Sequence, residues 1–304
     1  MNRAHFLGNP DVRAFLTHLS PRLLTWHVNY VSAYRRILPA DRPFSAVGVH
    51  AALTQYVWPA HFRAPAAMVI GGVPYAPGAH VSTYRWPDTF DALTELGTGL
   101  RAAIVPGAAA SALGWCNAIL EWGLGPAFLH AAQAALIVHG AGLEAYLSAM
   151  RAHCILGLVD TTNLAPPLVH MNSGLAKVHS LASNDGLVIF DSRVAFALGK
   201  LINEYCNSHK VYPIPDPLRI YRTVRRTPPP VMSPTGGRPD NHHLFPNQPF
   251  VGGAFGTNVG WMNAQIRVSW IIEEVLTANP DIFPGLPVSQ RCHQLEAALF
   301  MLGA

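Results

Sequence analysis

The stretch HMNSGLAKVHSLASNDGLVIFDSRVAFAL, residues 170–198, decides how this chain is read. Ser173-Gly174 forms a turn that opens a short helix with Leu175, Val178, Leu181 and Ala182 facing inward. Asn184-Asp185-Gly186 then breaks that helix, since all three residues favour turns. Leu187 to Phe190 is a short apolar run, expected to be extended. Asp191 stands where a helix N-cap belongs, and Val194, Ala197, Leu198, Leu201, Ile202 and Tyr205 make the buried stripe of the next helix. Two helices joined by a short extended segment therefore form a central unit over 160–206.

Outward from this unit the chain is mostly helical in pattern. Residues 11–40 alternate short helical patterns with Pro21 and Pro39, and 42–87, rich in Pro, Gly and β-branched residues, reads as irregular structure with short strands. Asp88 is expected to cap a helix running to about Ala103, with Leu93, Leu96 and Leu100 on one face. Two alanine-rich helices follow, near 107–122 and 126–150, separated by Gly123-Leu124-Gly125-Pro126. Residues 207–260 read as a Pro/Gly/Asn/His-rich loop region, and a last amphipathic helix spans about 260–278. With no internal repeat and no linker, the expectation is mainly α: a single two-lobed, helix-dominated unit over 1–304.

Half of the 304 residues are hydrophobic and 12% are charged, which excludes a disordered chain. The formal charge is +4, a mild basic bias that matters mainly through its distribution. Arg219, Arg222, Arg225 and Arg226 fall together, with Arg193, Lys200 and Lys210 upstream. Such a cluster suits a phosphate backbone, although a solvated basic turn would look the same. The most apolar region, 100–150, is interrupted by Glu121, His130, Gln133, His139 and Glu144, so no membrane span is expected. The N-terminus has no sustained apolar run, and Cys116, Cys154, Cys206 and Cys292 are scattered. A reduced, cytoplasmic protein is the expectation.

Asp191 admits two readings. As a cap it accepts backbone N–H bonds and contributes about 1 kcal/mol; as a catalyst it uses the same donors to remain ionised in a cleft. Lys177, fourteen residues earlier, is either a solvated side chain or a nucleophile and phosphate anchor. A glycine turn, a Lys on a short helix, and an apolar run ending in Asp-x-x-Val resemble the helix-hairpin-helix superfamily of DNA glycosylases. Asp191-Ser192-Arg193-Val194 matches the family's Asp motif. Ser173-Gly174-Leu175-Ala176-Lys177 departs from its Gly-x-Gly-x-Lys hairpin by one glycine, and the Lys-to-Asp interval is about one helical turn short. The resemblance covers only about 50 of the 304 residues.

The resemblance implies a helix-hairpin-helix glycosylase fold and cleavage of an N-glycosidic bond in double-stranded DNA bearing a damaged or modified base. It makes Asp191 catalytic and Lys177 a Schiff-base nucleophile with lyase activity. Asn172, Ser173, Gly174, Arg193, Arg222, Arg225 and Arg226 would hold DNA, and His242, His243 and Trp261 would line the base pocket. Trp58, Trp115, Trp122 and Trp270 are further stacking candidates, with core packing the default for the last three. The divergent N-terminal portion and the loop after the Asp helix point to a bulky modified base, such as glucosylated hydroxymethylcytosine of phage DNA, and hence to antiviral defence. The iron–sulfur cluster of some members is excluded by cysteine spacing, and Cys206, His209, Cys292 and His293 match zinc spacings poorly, so no cofactor is expected. A non-catalytic helix-hairpin-helix DNA binder, an unrelated helical interaction protein and a hydrolase of free nucleosides remain as alternatives.

Overall fold

The computed structural model describes residues 1–32, 36–124, 126–164, 171–211, 214–219 and 258–303. Within them the protein is mainly α. Helices α1 (Arg3–Gly8), α2 (Pro10–Thr25) and α3 (Gly48–Thr54) come first, followed by α4 (Trp86–Ala103), α5 (Ala109–Gly123), α6 (Pro126–Ile137) and α7 (Leu143–His153). Then come α8 (Leu175–Ala182), α9 (Ser192–His209), α10 (Asn258–Ala278) and α11 (Val288–Leu302). Six short strands form three separate antiparallel pairs: β1 (His27–Val31) with β2 (Pro43–Val47), β3 (Val57–Arg63) with β6 (His80–Arg85), and β4 (Met68–Ile70) with β5 (Val73–Tyr75).

Two groups of helices share one core. α4 to α8 pack on one another, with β3 laid against α5; α2 and α3 pack with α9, α10 and α11 from the far end of the chain. The buried hydrophobic side chains form a single cluster, in which Trp270, Phe6, Phe15 and Phe62 are among the largest. The start of the chain is fastened to its middle: the Met1 amino group pairs with Asp160, and Thr161 N donates to Met1 O at 3.0 Å. Among the described residues no helix is long and apolar enough to cross a membrane.

Several expected boundaries move for identifiable reasons. Helix α2 runs straight through Pro21, because Val12, Phe15, Leu19 and Leu23 bury one continuous face. Asp88 is not the cap of α4; Pro87 sits in the first turn and starts the helix earlier, leaving Asp88 inside that turn. The expected helix over 126–150 is two helices, divided where Gly140 takes φ +51°. The helix at 260–278 is not the last one. Helix α11 follows it and packs on α3, α9 and α10.

Candidate active site

Leu187–Phe190 lies fully buried in the core, outside any helix and without a paired strand among the described residues. Buried backbone groups need partners, and here side chains supply them. Ser180 Oγ donates to Leu187 O at 2.6 Å, and Val188 N donates to Ser269 Oγ at 3.0 Å. Gln265 Nε2 donates to Val188 O at 2.8 Å and also to Ala176 O at 3.0 Å, so one amide joins this run to the turn of α8 that carries Lys177. Ile189 N donates to Glu296 Oε2 at 2.7 Å, and Trp261 Nε1 to Phe190 O at 3.3 Å. Helices α8, α10 and α11 together thus hold the segment that ends in Asp191.

Asp191 caps α9. Its Oδ1 accepts from Arg193 N at 2.9 Å and Val194 N at 3.1 Å. Both bonds use one oxygen; Oδ2 accepts none among the described residues. Two amides at the start of an 18-residue helix thus fix the carboxylate in place.

Lys177 is buried on α8, and its Nζ donates to Ser173 O at 3.0 Å. Burial pushes the amine's pKa below the ordinary lysine value, while the carboxylates of Asp191 and Glu296 pull it back up. The stem lies against the end of α5, where a Cβ on Gly123 would stand 2.2 Å from Lys177 Cδ. Only glycine leaves that space. Glu296 is buried as well, and burial raises its carboxyl pKa, partly offset by His293 and by the Ile189 amide.

Arg193, two residues into the same cap, lies with its guanidinium 4.7 Å from the Trp58 ring centroid and 4.5 Å from that of Phe300. Trp58 meets Phe300 edge to face and sits in β3 where the register with β6 shifts. Pro59 follows it and cannot donate to the ladder, which accounts for an irregularity at this point. Trp58 and Gly123 also line a cleft of about 330 Å³, together with Phe62, Glu121, Trp122 and Leu124. That volume falls in the range of small-molecule sites, about 300–1,000 Å³. Trp122 Nε1 is buried with no partner among the described residues, whereas Glu121 Oε2 accepts from Arg63 N at 2.9 Å. A stacking surface, an unused donor and a carboxylate therefore belong to the residues of this cleft, and Gly123, one of its lining residues, also touches the Lys177 stem.

Comparisons with protein-family models, with curated proteins and with solved structures find no match to this chain. The geometry alone bears on what the site does.

Asp191 and Arg193 share the start of α9, the Asp191 carboxylate acts on the buried Lys177 amine, and several expected residues have other duties. Asn172 Oδ1 accepts from Gly174 N and Leu175 N, both at 2.9 Å, and so caps the start of α8. The Gly174 amide, expected to meet phosphate, has this local partner. Glycine is required there because a Cβ would lie 2.7 Å from Leu120 and Leu124 side-chain atoms. Trp261 is half-buried and pins Phe190 O; it is not part of the cleft lining. Arg222, Arg225, Arg226, His242 and His243 lie outside the described residues. Trp122 and Trp270 are in the core. Among the described residues no group of three or more His, Cys, Asp or Glu is placed to hold a metal ion.

Glu296, Gln265 and Ser269 escaped the sequence reading, whereas Trp58 was expected as a stacking candidate. The first three are polar residues on buried helix faces, and Gln265 and Ser269, one turn apart inside an apolar stripe, were the available signal. A polar pair inside such a stripe must be bonding something.

Proposed function

We propose that this chain is a DNA glycosylase, a diverged two-lobed relative of the helix-hairpin-helix enzymes acting inside the cell on double-stranded DNA with a damaged or enzymatically modified base. One observation carries the reading. Buried Lys177 and Glu296 and the half-buried Asp191 cap act on one another, Gly123 packs against the Lys177 stem and also lines an aromatic cleft, and Trp58 of that cleft stacks with Arg193 of the same cap. An extruded base would stack on Trp58 and meet Trp122 Nε1 as donor and Glu121 as acceptor.

As the C1′–N bond breaks, its electron pair leaves with the base, which takes up a proton. The Asp191 carboxylate, fixed by its two amide bonds, stabilises the positive charge left at C1′. Water adding to C1′ gives the abasic site. Alternatively the Lys177 amine, whose proton burial makes easier to lose, gives up that proton, adds to C1′ and forms the covalent adduct that opens the strand to lyase chemistry. Arg193 would face the phosphates, with Arg222, Arg225 and Arg226 contributing counterion release.

The test compares the protein with Asp191→Asn on duplexes containing normal, oxidised, alkylated or glucosylated hydroxymethyl bases, scoring released base and alkali-labile sites. Asparagine still caps a helix, so folding is retained. Base release that falls by about 10²-fold or more in the variant is expected, the scale of losing one charge-stabilising group. Absence of release from every duplex, with DNA binding intact in both proteins, would overturn the glycosylase in favour of a binder.

A further inference from the structure

Glu296 does more than satisfy a backbone amide. An asparagine, glutamine or serine would bond Ile189 N without placing an acid in the core, and this segment already uses Gln265 and Ser269 in that way. The acid has two connections that a neutral residue would not exploit. Glu296 Oε2 lies 3.3 Å from His293 Nδ1, one turn earlier on α11, and His293 lines a second cleft, of about 240 Å³, with Arg101, Ser183, Asn184, Ser289 and Gln290. This cleft has no lining residue in common with the one beside Trp58. On its inner side Glu296 holds Ile189, two residues before Asp191, in the run that Gln265 joins to the turn bearing Lys177.

A buried amine that changes charge needs a compensating group and a way for protons to leave. A base seated against Trp58 and Gly123 would cover the first cleft, while the His293 side stays open. We propose that Glu296 is a positioning residue of this site: it fixes the segment ending in Asp191 and, exchanging protons with solvent through His293, sets the charge on Lys177. This deepens the glycosylase reading and rests on it for its catalytic meaning.

The charged and titratable neighbours agree in sign. Glu296 and Asp191 both favour the protonated Lys177 amine, and Asp191 in turn disfavours ionised Glu296. His293 favours the ionised Glu296. The remaining neighbours contribute no proton near neutral pH: burial drives the Tyr56 hydroxyl and the Cys292 thiol far up, and Arg193 remains a fixed cation.

The experiment follows the Lys177 amine directly, by NMR of side-chain-labelled lysine across pH, in the intact protein without DNA. Glu296→Gln keeps the acceptor for Ile189 N and removes the charge, so the Lys177 midpoint shifts to lower pH. His293→Gln shifts it in the same direction by less. A midpoint unmoved in both variants, or moved upward, overturns the proposal; if Glu296→Gln does not fold, His293→Gln decides alone. Base release is scored separately. A shifted midpoint in a protein that releases no base keeps the coupling and sinks the glycosylase, and base release with an unmoved midpoint does the reverse.

Discussion

Leu187–Phe190 and the β3–β6 pair are both non-helical, and both place side chains in the core. They satisfy their backbones in opposite ways. In β3–β6 the partners are backbone groups on the neighbouring strand, with Ala60 opposite Thr83 and Phe62 opposite Val81. Along 187–190 the partners are Ser180, Gln265, Ser269, Glu296 and Trp261, drawn from three helices. A backbone ladder tolerates almost any side chain. A side-chain cradle depends on each residue, and in return it places the end of the segment, Asp191, by contacts from three directions. The cradle is where single substitutions act most strongly and where the candidate site was built.

Ser269→Ala is the sharpest way to break this contrast. The Ser269 hydroxyl donates to Gln265 O and accepts from Val188 N at the centre of the core. Alanine leaves the Val188 amide buried without a partner, at a cost of about 1–3 kcal/mol. Urea denaturation reads the loss, and hydrogen exchange should localise it to the amides of Val188 and Ile189. A loss under about 0.5 kcal/mol, the range of ordinary surface substitutions, would mean that the cradle is not what holds this segment.

The same contrast explains what the sequence disclosed. The α8–turn–α9 unit was legible because its signals are local: Asn184-Asp185-Gly186, with Gly186 at φ +94°, an Asp cap, and a regular apolar stripe over Val194 to Tyr205. The short strands between 42 and 87 were legible among turns, but helix α3 within that stretch and β1, the partner of β2 in a region read as helical, were not. Helix α11 was not, because its buried face carries Arg291 and Glu296, which interrupt the apolar period. Arg291 is spent on the carbonyls of Leu276, Asn279 and Ile282, at the end of α10 and just beyond it. Such duties are set by residues far away in sequence. Lys177 and Asp191 could be named from a motif, whereas Glu296, more than a hundred residues later, is joined to them only by folding.

Lys177→Met probes the cost of keeping a charge beside the cradle. Burial outweighs the two carboxylates, so the folded-state pKa lies below the ordinary 10.5. The unfolded chain then binds the proton more readily. The destabilisation is present in full below the folded midpoint and fades as pH rises through the window up to 10.5. Methionine fills similar space without the charge. The variant is expected to gain about 1 kcal/mol at neutral pH, net of the bond lost to Ser173 O, with the advantage shrinking as pH approaches 10. An advantage that stays constant or grows with pH would show that the amine is not held in its costly state.

Thr83→Val tests the ladder side and should have the smallest effect. Thr83 lies in β6, 2% exposed, and its Oγ1 is buried with no hydrogen-bond partner among the described residues. Its backbone needs nothing from that hydroxyl, because pairing with β3 is made by main-chain groups. Valine keeps the β-branched shape that suits a strand and removes a polar atom that folding desolvated without compensation. Stability should therefore be unchanged or rise by up to about 1 kcal/mol. The two hydroxyls, Thr83 Oγ1 and Ser269 Oγ, are equally buried and differ in whether a backbone amide depends on them. If Thr83→Val cost as much as Ser269→Ala, burial alone would govern both sites, and the distinction between ladder and cradle would fail.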